Sequence, residues 1–70
     1  MKEFIIKDDQ AFRLRVKSWK CVKPSELNAI EFIQESKNKN QEVDLSSTYQ
    51  FFMTDEELKK LANGLLSMHN

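Results

Sequence analysis

Glycine, proline, cysteine and histidine each occur once in these 70 residues. One glycine cannot build a phosphate-cradling loop, because the Walker and dinucleotide turns need several positions without a Cβ. One cysteine, Cys21, cannot close an intrachain disulfide, the usual staple of small exported domains. The apolar run in the N-terminal MKEFIIKDDQ is too short for a secretory leader, so a reducing, cytoplasmic setting is expected. A single His and a single Cys are too few nitrogen and sulfur ligands for a transition-metal centre. There is also no run of eighteen apolar residues, which excludes a spanning helix and with it a membrane role of that kind. Charge of neither sign is in excess. Eleven Lys and Arg face eleven Asp and Glu, and the isoelectric point is near 6.6, unlike a dedicated nucleic-acid binder.

What is there suits one small globular domain over residues 1–70: 40% apolar and 31% charged residues. A chain of this size buries only about 60% of the surface it exposes unfolded, so its core is thin.

The clearest pattern is the alternation of Phe12, Leu14 and Val16 with Arg13, Arg15 and Lys17, the period of a half-buried strand. Phe4, Ile5 and Ile6 form a β-rich run before it. Asp8-Asp9-Gln10 between them reads as a turn, because Asp side chains bond their own backbone. Residues 2–7 and 11–20 are therefore expected to pair as a hairpin. Residues 25–37 are ambiguous after the punctuation at Pro24 and Ser25. Leu27 and Ile30 suit a helix, whereas Ile30 and Phe32 against Glu31, Ile33 and Glu35 suit a strand from about Asn28 to Ser36. The polar turn Lys37-Asn38-Lys39-Asn40 and the Val-, Thr-, Tyr- and Phe-bearing run Gln41 to Met53 favour a second hairpin.

Thr54-Asp55-Glu56-Glu57 is a capping box with acid in the first turn, and Leu58, Leu61, Ala62 and Leu65 follow at helical spacing. Gly64 is expected either to end this helix or to let it lie close on the sheet. The fold class that results is α+β: a four-stranded antiparallel meander, β-β-β-β, with one C-terminal helix packed on one face.

Parity sorts the strand residues. Phe4, Ile6, Phe12, Leu14, Val16, Ile30, Phe32, Tyr49, Phe51 and Met53 share one face, which the helix stripe can cover. Ile5, Trp19, Cys21, Ile33 and Phe52 fall on the other, among Arg13, Arg15 and Lys17, with no element left to cover them. Ile5, Trp19, Ile33 and Phe52 are the partner-binding candidates on that ground, and a homodimer is one expected way of hiding them.

Charge is unevenly placed along the chain. Residues 1–24 hold seven cations and three anions, a net of +4, and residues 25–70 hold four and eight, a net of −4. The cationic series Arg13, Arg15, Lys17, Lys20 and Lys23, with Trp19 on the same parity to stack on a base, suggests phosphate binding. The bland reading of that series is the solvent face of an amphipathic strand. Glu31, Glu35, Glu42, Asp44 and Asp55 to Glu57 suggest either solubilising charge or a patch that docks on a basic protein. No nucleophile has an oriented base beside it in sequence, since His69 is penultimate, and Cys21 has only the cations Lys20 and Lys23 nearby. The expectation is a non-enzymatic, cofactor-free protein-binding module that inhibits or regulates another macromolecule and self-associates. Chains of this profile are often encoded by phages or mobile elements as inhibitors of host enzymes. The alternative is a nucleic-acid-binding protein that uses Arg13, Arg15, Lys17, Trp19 and Lys20.

Overall fold

A computed structural model describes residues 2–22 and 26–69. Four strands, β1 (Lys2–Asp8), β2 (Phe12–Lys20), β3 (Asn28–Lys37) and β4 (Val43–Met53), form one antiparallel sheet in the order β1-β2-β3-β4. The helix α1 (Asp55–Ser67) follows. The strand reading of residues 28–36 holds, and both hairpins form as expected. The punctuation at Pro24 and Ser25, and the cation Lys23, lie outside the described residues.

Side-chain chemistry sets the turns. Asp9 Oδ1 accepts from the backbone N–H of Phe12 at 2.8 Å and of Ala11 at 2.9 Å, and the Asp9 N–H donates to the Phe12 carbonyl at 2.9 Å. These backbone donors hold the Asp9 carboxyl below its ordinary range. At the β3–β4 turn, Asn38 Oδ1 accepts from the N–H groups of Asn40 and Glu42, at 2.9 and 3.1 Å. Gln41 closes that turn in the left-handed region with φ of 63°.

The register fixes which residues share a face. Phe4, Val16, Phe32 and Tyr49 form one row across all four strands, and Ile5, Arg15, Ile33 and Thr48 form a row on the opposite face. A bulge between Ile5 and Lys7 breaks the β1–β2 ladder.

Among the described residues, few apolar side chains are buried, and no aromatic ring is. Val16, Ile30 and Ile33 are 6% exposed and Ala29 is fully enclosed. The shape is correspondingly flat, 43 × 35 × 16 Å, with a radius of gyration of 14.5 Å. A compact chain of this length has a radius near 11 Å.

Thr54 caps α1 as its sequence requires. Thr54 Oγ1 accepts from the Glu57 N–H at 3.1 Å, and Glu57 Oε1 accepts from the Thr54 N–H at 2.8 Å. The root of the helix is tied to the sheet at Asp55. Its Oδ1 accepts from Asn28 Nδ2 at 2.8 Å and from Lys20 Nζ at 2.7 Å, which keeps the carboxyl below its ordinary range. Beyond that root, none of the helix residues is buried, and the strand it comes nearest is β4. Gly64 neither ends the helix nor brings it close to the sheet. The helix continues to Ser67, and a Cβ at Gly64 would meet nothing within 4 Å.

Candidate functional site

The helix lies over the face that its stripe was expected to cover, where Val16 and Ile30 are buried, yet it leaves Phe4, Ile6, Tyr49 and Phe51 around them open to water. A cleft of about 350 Å³ separates helix and sheet. Phe4, Ile6, Val16 and Phe32 form its floor on the sheet. Leu58, Leu61, Ala62 and Leu65 form its wall on α1. A second cleft, of about 340 Å³, runs between Leu61 and Leu65 on the helix and Phe32, Phe51 and Met53 on the sheet. The helix is thus a ridge standing on an apolar plate.

The exposures on this face are large. Phe4 is 61% exposed, and Tyr49, Ile6, Phe51, Leu65 and Leu61 between 54% and 41%. These six side chains leave on the order of 500 Å² of apolar surface in water, as much as the largest patch of an ordinary monomer. Phe32 and Phe51 meet edge to face at 6.2 Å and brace the middle of the plate. Sequence parity placed Phe4, Ile6, Phe32, Tyr49 and Phe51 on one face but could not show that the helix leaves four of them more than half exposed. The only signal was quantitative: one 13-residue helix has four stripe residues, and the face has ten apolar positions.

The opposite face is ionic. Arg13 donates from Nε and Nη2 to the two oxygens of Glu35, at 2.8 and 3.0 Å. Arg15 donates from Nε to Glu35 Oε1 at 2.9 Å and from Nη1 to Glu3 at 2.7 Å. Glu35 is 6% exposed beneath the two guanidinium groups. The hydrogen bonds from Arg13, offset by partial desolvation and joined by those from Arg15, lower its carboxyl from 4.5 to about 2. Both guanidinium groups are held above their ordinary value in turn, Arg13 chiefly by Glu35 and Arg15 chiefly by Glu3. Strand order explains the pairing. β2 carries the cations and lies between β1 and β3, so it meets Glu3 from its own half of the chain on one side and Glu35 from the other half on the other.

The sequence-derived candidates fall as follows. Arg13 and Arg15 are committed to carboxylates, Lys20 to Asn28 and Asp55, and Lys17 is half-buried between Glu3 and Glu31 in the register. Trp19 and Phe52 flank Ala29 in one row at the end of the ionic face. Trp19 is half-buried, Phe52 is 55% exposed and Ile5 is 53% exposed. Ile33 is buried in the row between Arg15 and Thr48 and is not available to a partner. Cys21 is a half-buried free thiol whose N–H closes the β2–β3 connection on the Leu27 carbonyl at 2.8 Å. Of the expected acidic patch, Glu35 and Asp55 are spent on internal ion pairs.

Among the described residues, no helix is long and apolar enough to cross a membrane. Comparison of the chain with protein-family models, with curated proteins and with solved structures finds no match.

Proposed function

We propose that this chain is a small, non-enzymatic, cytoplasmic protein-binding module that self-associates and regulates or inhibits another macromolecule. The observation that supports this reading is the connected apolar surface around α1, from Phe4 on β1 to Phe51 on β4, left open to water at a cost that a protein contact would remove. The ionic face supplies a second surface, on which Phe52 and Ile5 stand exposed beside fixed charges that set orientation and exclude wrong partners.

The test is affinity capture by the full chain from its native host cells, with Phe51→Glu and Phe52→Glu run alongside, then rebinding with purified components. A protein target that rebinds with defined stoichiometry, and that one of the two variants releases, is the expected result. Retention of polynucleotide in place of protein would contradict the reading, as would a target indifferent to both variants.

A further inference from the structure

The face that bears α1 has a self-complementary form. An apolar ridge stands beside an apolar groove, on a chain whose sheet is wider than its helix. Four strands about 4.8 Å apart, with each edge strand counted to its full width, span roughly 19 Å, whereas a helix with its side chains is about 10 Å across. One helix roofs about half of such a sheet. The unroofed half is the groove over Phe4 and Ile6, walled by Leu61 and Leu65.

We infer that a second copy of this chain closes this face, with the α1 ridge of each copy seated in the groove of the other about a two-fold axis. The inference rests on the protein-binding reading above and names the first partner. Under two-fold symmetry a ridge and a groove on the same surface satisfy each other twice, and two helices side by side roof all four strands of both sheets.

The surface area agrees. The chain exposes 5816 Å². A folded monomer of 8.3 kDa exposes about 4,600 Å², which leaves an excess of about 1,200 Å². A standard interface needs about 800 Å² from each partner. The radius of gyration, 14.5 Å against about 11 Å for a compact chain, has the same origin: the molecule is a plate, and a second plate on its apolar side makes a layered solid.

The ionic face is a poorer dimer surface. Its centre is the Arg13–Glu35–Arg15–Glu3 chain, whose charges are already paired and would have to be desolvated a second time. The two edge strands are the other competitors; they lie at opposite sides of the sheet, with Phe4 on β1 and Phe51 on β4.

Sedimentation equilibrium of the full chain at micromolar concentration separates these cases, with wild type, Phe4→Glu, Phe51→Glu and Phe52→Glu side by side and far-ultraviolet circular dichroism of each. The expected wild-type mass is twice 8.3 kDa. Phe4→Glu and Phe51→Glu are expected to raise the dissociation constant by roughly 30-fold or more, and Phe52→Glu to leave it unchanged. Leu65→Lys, at a 51% exposed helix position, gives the same readout should a strand variant lose its spectrum. A monomeric wild type overturns the inference and, with it, the self-association in the reading above; the face is then free for an unlike protein, and the protein-binding part of that reading survives. A dimer weakened by Phe52→Glu and indifferent to Phe51→Glu overturns it in favour of the ionic face. A dimer that responds to Phe51→Glu and not to Phe4→Glu overturns it in favour of pairing at the β4 edge, and one that responds to Phe4→Glu and not to Phe51→Glu or Leu65→Lys overturns it in favour of the β1 edge.

Discussion

Phe51 and Phe52 are neighbours in β4, 51% and 55% exposed, and they point to opposite faces of the sheet. Phe51 pairs with Ile30 in the register and packs its ring against Phe32 under α1, whereas Phe52 pairs with Ala29 beside Trp19 on the ionic face. Equal exposure therefore hides unequal surroundings. One ring belongs to the apolar plate under the helix, and the other stands at the end of a charged face.

The carboxylate under Arg13 and Arg15 makes the fold sensitive to acid. Glu35 titrates at about 2 in the fold against an ordinary 4.5, so the unfolded chain takes up the proton first. Its contribution is complete above about pH 4.5 and is lost as the pH falls toward 2. Glu35→Gln is expected to cost about 1.5–3 kcal/mol at neutral pH, the range for a hydrogen bond to a charged group. It should also flatten the decline of stability below pH 4.5. Urea unfolding of both proteins between pH 2 and 7 checks this, and parallel pH profiles would contradict it.

Thr54→Ala removes the acceptor for the Glu57 N–H and is expected to destabilise the chain by about 0.5–2 kcal/mol. Thermal unfolding checks it. Thr54→Ser, which keeps the hydroxyl, should retain most of the stability.

Gln41 adopts a left-handed conformation, φ of 63°, that costs a residue with a Cβ about 1–2 kcal/mol. Gln41→Gly is expected to stabilise by about 0.5–1 kcal/mol once the greater freedom of glycine in the unfolded chain is offset. Gln41→Val should do the reverse, and chemical denaturation of the three proteins ranks them.

Affinity for random-sequence DNA or RNA is expected to be weak, with a shallow salt dependence worth fewer than about two phosphate contacts. Arg13, Arg15 and Lys20 already donate to carboxylates. A salt titration of fluorescently labelled oligonucleotides reads the slope directly. A steep slope that falls on Lys17→Gln would contradict the assignment of this strand to an internal ionic ladder.

Much of this architecture was legible in local chemistry. The alternation from Phe12 to Lys17, the Asp9 turn and the Thr54–Glu57 box are each contained within a few residues, and each formed as written. The partners of the charged strand were not legible, because Glu3 and Glu35 lie 12 and 20 residues from Arg15 and only the strand order brings them to it. The open face was obscured for a related reason. Periodicity assigns a residue to a face but carries no measure of the distance between two faces. A stripe of Leu58, Leu61, Ala62 and Leu65 looks the same whether it meets its own sheet or another copy's.

Hydroxyl-radical footprinting of the wild type at micromolar concentration, read by mass spectrometry along β4, tests the central claim most directly. Phe51 and Phe52 have the same chemistry and nearly the same exposure in the isolated chain, so they serve as each other's control. If the α1 face is the association surface, Phe51 is protected together with Phe4 and Leu65, Phe52 reacts freely, and the protection of Phe51 fades on dilution. Phe51 reacting as readily as Phe52 at every concentration, or Phe52 alone being protected, would contradict it.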